Sequence, residues 1–149
     1  MKYANRILTL LVFTSLALSS CRTSTDATQN TPSFLMRASI NGTEWVADSA
    51  DVIKSGTCLL IMGWRGSGSD MSMVSISIPS SMATPDSCPT GGGYAIPGGN
   101  ELIKSVGTTY LNSKTNSNLQ GTFRFKGSMF RNSDTTFITN GEFNVDYKN

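Results

Sequence analysis

Carboxylates are the residues that could carry out acid–base chemistry in this 149-residue chain, because the sequence contains no histidine. Histidine is the commonest general base and metal ligand, so its absence excludes the Ser-His-Asp and Cys-His arrangements. A glycan hydrolase, by contrast, needs only two carboxyl groups about 5 to 10 Å apart. The candidates for such a pair are Glu44, Asp48, Asp51, Glu101 and Glu142. Their spacing also fits ordinary strand faces and turns, so the sequence assigns no catalytic residue.

The sequence contains no pattern that predicts a metal or cofactor site. Segment 48–51 lacks the Asp-x-Asp-x-Asp-Gly spacing of a calcium loop. The glycines at 91–93 lack the Gly-x-x-x-x-Gly-Lys pattern of a phosphate-binding loop. We therefore expect neither a metal nor a cofactor, and we interpret the glycines as turn residues.

Aromatic rings offer a second kind of site, since the faces of Trp and Tyr stack on the C–H surfaces of sugars. Trp64 stands close to the turn at Gly66, and Tyr94 follows the glycine run, so these two are the candidate ligand-binding residues. Both rings are also typical of a hydrophobic core, and that alternative stays open. Trp45, which follows a predicted turn, is expected in the core.

Two hydroxyl groups are candidates for covalent modification. Asp48-Ser49-Ala50 and Asp134-Thr135-Thr136 are similar to the three-residue acceptor that some bacterial O-glycosylation systems use. The resemblance implies a glycan on Ser49 or Thr135.

The amino-terminal 21 residues have the layout of a bacterial lipoprotein signal peptide. Lys2 and Arg6 supply the charge that stays on the cytoplasmic side, and residues 7–18 form an apolar run too short to span a bilayer stably. Residues 18–21, Leu-Ser-Ser-Cys, are similar to the lipobox that precedes a lipidated cysteine. The resemblance implies removal of residues 1–20 and attachment of acyl chains such as palmitate to Cys21. A plain secretory signal and a buried apolar helix are the alternatives.

Such a chain would be held at a membrane through the lipid on Cys21, because each buried methylene contributes about 0.8 kcal/mol. Arg22 is not the aspartate that retains many lipoproteins at the inner membrane, which favours the outer membrane. Residues 21–33 are polar and are interpreted as a flexible tether. Removing Lys2 and Arg6 from the 12 basic residues leaves 10, which balance the 10 acidic ones. A chain without excess positive charge is not expected to bind nucleic acid.

The two remaining cysteines, Cys58 and Cys88, predict one disulfide in an exported chain. Closing a loop of about 30 residues would stabilise the fold by roughly 3 to 4 kcal/mol. Two buried free thiols are the alternative.

Residues 34–149 predict one β-rich domain. Asn41-Gly42, between two alternating segments, is typical of a type I′ hairpin turn. Segment 79–100 holds four of the five prolines and is interpreted as mostly loop around a short strand at 94–96. About eight to nine short strands predict an all-β fold, either a single antiparallel β-sandwich or a small β-barrel. The other strands are expected at 34–40, 43–47, 52–54, 58–65, 72–78, 102–111, 119–130 and 135–147.

The last two strands carry the clearest alternation. Their apolar residues should face inward: Phe123, Phe125, Phe143, Val145 and Tyr147. Outward-facing Arg124 and Lys126 could then pair with Glu142 and Asp146 across the sheet. Gly141 is interpreted as part of a β-bulge within one long final strand rather than as a hairpin turn.

These segments resemble a group of small, uncharacterised bacterial lipoproteins. The shared features are Ala-Ser-Ile-Asn-Gly-Thr-Glu-Trp at 38–45, Gly-Thr-Phe-Arg-Phe at 121–125 and Ile-Thr-Asn-Gly-Glu-Phe-Asn-Val at 138–145. The resemblance implies a shared all-β fold and carries over no activity.

Together these observations predict a non-enzymatic, lipid-anchored protein of the bacterial cell envelope. Its domain would act as a binding or structural module, with a glycan or another envelope protein as partner. A carrier of a small apolar ligand inside a barrel and a carboxylate-dependent glycan hydrolase are the alternatives.

Overall fold

The computed structural model describes residues 34–96, 100–131 and 133–148, so the predicted signal peptide, Cys21 and the tether lie outside the described residues. The described part is almost entirely β-strand, which confirms the predicted all-β fold. In chain order its strands are β1 (Met36–Ile40), β2 (Thr43–Val46), β3 (Ser49–Ser55), β4 (Cys58–Arg65), β5 (Ser72–Pro79), β6 (Asp86–Thr90), β7 (Gly92–Ile96), β8 (Asn100–Lys114), β9 (Asn118–Met129) and β10 (Thr135–Asp146). A short 3-10 turn spans Gly68–Asp70.

All strand pairs are antiparallel and join into one curled sheet of order β2-β1-β10-β9-β8-β7-β5-β4-β3, with β6 added beside β8. The sheet curls on itself into two facing layers. Two pairs of consecutive strands, β2–β3 and β6–β7, each bend from one layer into the other. At the β2–β3 bend, the Ala47 amide donates to the Met36 carbonyl, and the Asp48 amide donates to Trp64. At the β6–β7 bend, Gly91 accepts from the Ser77 amide. Because β2–β3 and β6–β7 each count as one continuous path, the ten strands follow eight paths around a half-barrel. This arrangement is expected of small sandwiches and barrels.

The first hairpin forms at Asn41-Gly42 as predicted, with Ile40 opposite Thr43. Both turn residues have positive φ angles, 50° for Asn41 and 87° for Gly42, which these residue types tolerate. The Asn41 carboxamide oxygen also accepts from the Phe137 amide at 2.8 Å. The turn is thereby attached to β10 as well as to its own strands.

Segment 79–100 contains the short strand predicted at 94–96, as part of β7, and also a second strand, β6, where loop was expected. β6 includes Pro89 opposite Thr108 and pairs along β8 alone. A strand with one ladder partner accepts proline, since the missing N–H can face away from that partner. Pro89 therefore does not interrupt β6.

The inward-facing side chains form one continuous core. The five apolar residues predicted to face inward from β9, β10 and the residue after it are all buried, as is Trp45. The Trp45 indole N–H donates to the Ser72 hydroxyl at 2.9 Å, which satisfies its polar atom inside the core. From the opposite layer, Ile61, Val74 and Ile76 are fully buried against these side chains.

The predicted bulge in β10 is present. Ile138 lies opposite Phe125 and Gly141 opposite Phe123, so Thr139 and Asn140 share one partner on β9. Asn140 adopts φ of 50°, a left-handed conformation that asparagine tolerates better than most residues. Because two residues oppose one, the inward side of β10 changes from even-numbered to odd-numbered positions.

Phenylalanine rings and glycines interlock across β8, β9 and β10. Phe143 lies opposite Gly121, Phe123 opposite Gly141, and Phe125 opposite Gly107. A Cβ atom built on Gly121 would come within 2.4 Å of the Phe143 ring. The glycines thus make the space that the large rings fill.

Gly141→Ala tests this interlock. The added Cβ would lie 2.5 Å from the Phe123 ring and 2.6 Å from the Phe123 carbonyl oxygen. We expect the free energy of unfolding to fall by about 2 to 3 kcal/mol, the cost of overpacking a filled core. The matched control is Gly91→Ala, whose nearest neighbour would be the Ser105 hydroxyl at 3.9 Å; it should change stability by less than about 0.5 kcal/mol. Equal losses in urea unfolding of the two variants would contradict this reading.

Thr109→Val tests a buried hydroxyl. Thr109 is fully buried, and its Oγ1 atom has no hydrogen-bond partner among the described residues. Removing an unsatisfied hydroxyl should raise the free energy of unfolding by about 1 kcal/mol. Thr90→Val is the opposite case, because the Thr90 hydroxyl donates to the Ser77 carbonyl at 2.7 Å, and it should lower stability by about the same amount. Thermal unfolding of both variants checks the two signs.

Candidate functional site

Polar side chains form a row on the outer face of the sheet, crossing β6, β8, β9, β10 and β1. The strand register places them directly opposite one another in the order Ser87, Tyr110, Thr122, Glu142 and Arg37. Outward-facing side chains on neighbouring strands are close enough to touch one ligand. The row therefore brings together residues from distant parts of the sequence.

A cleft of about 570 Å³, here called the Tyr110 cleft, lies on this face. Tyr110 lies on its β8 side and is 42% exposed. Asn140 and Glu142, at and just after the bulge, line its other side. The hydroxyl groups around it can donate and accept hydrogen bonds, and they belong to Ser87, Thr108 and Thr122.

Glu142 is held by Arg37. One guanidinium nitrogen, Nη2, donates to both carboxylate oxygens at 2.9 Å. The same guanidinium lies 4.3 Å from the centre of the Phe34 ring. Both members of the ion pair are half-exposed, at 43% and 38% of their side-chain surface, so the pair stabilises the fold by less than about 1 kcal/mol. Its main effect is to fix the carboxylate between two clefts.

The second cleft, here called the Arg37 cleft, has a volume of about 270 Å³. It lies beside the Tyr110 cleft and shares Asn140 and Glu142 with it. Glu44 of β2 and Ser39 of β1 line its far side. The two clefts thus extend the polar surface across six strands.

Arg124 and Lys126 do not form the predicted pairs with Glu142 and Asp146. The bulge places Glu142 opposite Thr122 on β9, and the Glu142 carboxylate binds Arg37 instead. Asp146 accepts a hydrogen bond from the Asn118 carboxamide at 2.9 Å. Arg124 lines the Tyr110 cleft and also a third, mainly apolar cleft of about 220 Å³, the Phe137 cleft, with Lys126, Val106 and Phe137.

Trp64 and Tyr94, the aromatic residues singled out from the sequence, do not share a site. Trp64 lies opposite Met73 on the outer face of β4 and β5. Tyr94 lies opposite buried Val74, and its ring packs against the core. Burial raises the pKa of the Tyr94 phenol above its ordinary value, against a smaller opposing effect of the Arg65 charge. The core alternative therefore describes Tyr94, whereas Trp64 is half-buried on the opposite face.

The remaining candidate carboxylates are dispersed. Asp48 accepts from the Gly66 amide at 2.7 Å and so stabilises the turn after β4. Asp51 lines a separate cleft of about 500 Å³ beside Asp146 and Lys148. Glu101 lies opposite Ala95 at the start of β8. Of the five candidates, Glu44 and Glu142 line one cleft together, with Arg37.

The predicted disulfide is not present in the structure, which has Cys58 and Cys88 as free, half-buried thiols. Cys58 lies on β4 opposite Ser55 and Pro79, whereas Cys88 lies on β6 opposite Thr109. A disulfide needs Cα atoms within about 7 Å, and no pairing of the described strands brings these two residues together. Burial raises the pKa of the Cys88 thiol, and the charge of Asp86 adds to the rise. The alternative of two free thiols describes these residues.

The two hydroxyls predicted to carry glycans begin β3 and β10, and both residues are exposed. The described segments contain no cluster of three or more potential metal-ligating side chains. No helix in those segments is long and apolar enough to cross a membrane.

Sequence reasoning missed Tyr110 as a site residue. The available signal was its position between Thr109 and Leu111, which face inward. Strand alternation then turns Tyr110 outward, and an outward-facing aromatic ring beside threonines is a candidate contact surface.

Comparisons with protein-family models, with curated proteins and with solved structures gave no match for this chain.

Proposed function

We propose that this domain is a non-enzymatic binding module that holds a saccharide chain in the Tyr110 cleft. The observation that carries the proposal is the combination of a half-exposed Tyr110 ring with surrounding hydroxyl, amide and charged groups in one open cleft. Sugars present both C–H faces and hydroxyl groups, so they use an aromatic platform and a set of polar partners together. This combination of groups supports a glycan as the partner.

The shape of the cleft supports a polymer rather than a small enclosed ligand. The cleft lies on the face of the sheet and continues into the Arg37 cleft across Glu142. Adjacent strands are about 4.8 Å apart, close to the length of one hexose unit. Successive sugars of an extended chain could therefore lie over successive strands.

The described residues do not favour either alternative function. Side chains from both layers meet in one continuous core, and the clefts described above are lined by outward-facing groups. A hydrolase would need a second carboxylate free to act with Glu142, yet both Glu142 oxygens accept from Arg37, which lines the same cleft as Glu44. A module that binds without cleaving is the simpler use of this surface.

We also propose that the module is displayed from the outer membrane of a bacterial envelope through lipid on Cys21. The support comes from the sequence, whose charged start, apolar run and lipobox-like residues 18–21 agree with one another. The polar segment 21–33 would then separate the domain from the headgroups.

Tyr110→Ala tests saccharide binding. Removing the ring should weaken binding to a recognised polysaccharide by at least about tenfold, or ~1.4 kcal/mol, because an aromatic anchor is lost. Phe130→Ala is the matched control, since Phe130 is 62% exposed and does not line the Tyr110 cleft. Affinity electrophoresis against a polysaccharide panel measures both variants. Loss of affinity in both, or in neither, would exclude the Tyr110 cleft as the site.

Cys21→Ala tests the anchor. The full-length chain should incorporate labelled palmitate and sediment with membranes, and the variant should lose both properties because no thiol remains to accept lipid. Cys88→Ala removes a cysteine from the folded domain and should keep the label. A Cys21→Ala protein that still carries palmitate would contradict the proposed anchor.

A further inference from the structure

Two cations on the outer face of β9 have no ionic partner among the residues that the structure describes. Arg124 and Lys126 are two residues apart and both exposed, so their attachment points lie about 7 Å apart on one face. Within the described segments, neither forms an ion pair or a side-chain hydrogen bond. No carboxylate of the described residues therefore pairs with either cation to balance their mutual repulsion.

Glu142, the carboxylate nearest to Arg124 in the strand register, already forms an ion pair with Arg37. Glu142 is the acidic residue that lines the Tyr110 cleft, and its charge is compensated by Arg37 at 2.9 Å. The described residues that line the Phe137 cleft include no acidic residue, and Val106 and Phe137 lie opposite Lys126 on either side. These two apolar residues are 62% and 49% exposed. The uncompensated positive charge thus lies at Arg124, which lines both the Tyr110 cleft and the Phe137 cleft, and at the neighbouring Lys126.

We infer that the saccharide bound in the Tyr110 cleft is acidic and places a carboxylate or phosphate group against Arg124 and Lys126. This inference rests on the proposed saccharide-binding function and specifies its substrate class. A guanidinium group binds either anion through two parallel N–H donors, and an ammonium group adds a second point charge. Apolar neighbours strengthen such contacts, because they exclude water from one side of the ion pair.

Glycan arrays of matched pairs test the charge preference. Each uronate-containing oligosaccharide is printed with its carboxyl-reduced form, and each phosphorylated one with its dephosphorylated form. The wild-type domain should bind acidic members at least tenfold more tightly than their neutral partners, and higher salt should reduce that ratio. Which pairs show the preference distinguishes carboxylate from phosphate.

Two variants and a control assign the preference to these residues. Arg124→Gln and Lys126→Gln should each lower affinity for acidic members about tenfold. Lys126, which does not line the Tyr110 cleft, is the residue whose replacement should leave neutral members within twofold. Arg124→Lys should retain part of the preference. Lys54→Gln makes the same change of charge on exposed β3 and should alter nothing. Circular dichroism and thermal unfolding establish that each variant is folded before it is compared.

Equal binding of acidic and neutral members, with no effect of Arg124→Gln, would overturn the inference and leave the proposed function standing. Wild-type binding to no saccharide, or binding that Tyr110→Ala does not change, would overturn the proposed function itself. Binding to phosphatidylglycerol vesicles through Arg124 and Lys126, without saccharide binding, would identify a membrane surface instead and would overturn both.

Discussion

The extra residue in β10 is the constraint on which the rest of the sheet depends. Ile138 is buried before the bulge, and Phe143 and Val145 are buried after it, although their positions have opposite parity. A regular strand would turn either the first residue or the last two toward solvent, because alternate side chains face opposite sides. Both β1 and β9 pair with β10 across this point, so the register of three strands depends on Asn140 adopting its left-handed conformation.

The same distortion shapes the outer surface. A bulge interrupts the ladder and redirects the side chains beside it. Here it places Asn140 and Glu142 along the wall shared by two clefts, with Tyr110 facing them from β8. Behind these residues the interlocked rings of Phe123 and Phe143 fill the core. The candidate site therefore lies on a rigid sheet face rather than on loops, and its groups are held in position before any ligand arrives.

Local patterns in the sequence predicted a large part of this fold. The Asn41-Gly42 turn and the alternation around Phe123 are local patterns of neighbouring residues. The hairpin and the buried face could therefore be predicted from the sequence. The pairing of Arg37 with Glu142 joins residues 105 positions apart, and no local pattern states which strands become neighbours. Strand β6 was not predicted because its segment contains prolines. Proline is unfavourable in most strands, but it is tolerated in a strand that has a single ladder partner. Tyr110 was missed because its outward direction matters only when the residues across from it are known.

The first strand of the domain hydrogen-bonds to the last of the described strands, since β1 lies between β2 and β10. During synthesis the ribosome therefore releases β1 long before residues 135–146 become available to pair with it. Until then β1 and β9 each expose an unpaired edge, and such edges are templates for aggregation. A message truncated before β10 would leave both edges permanently open, although most of the domain had been made. The hairpin of β9 and β10 thus completes the sheet. A truncated chain would therefore aggregate and be a substrate for chaperones and proteases, rather than persist as a weakened binding protein.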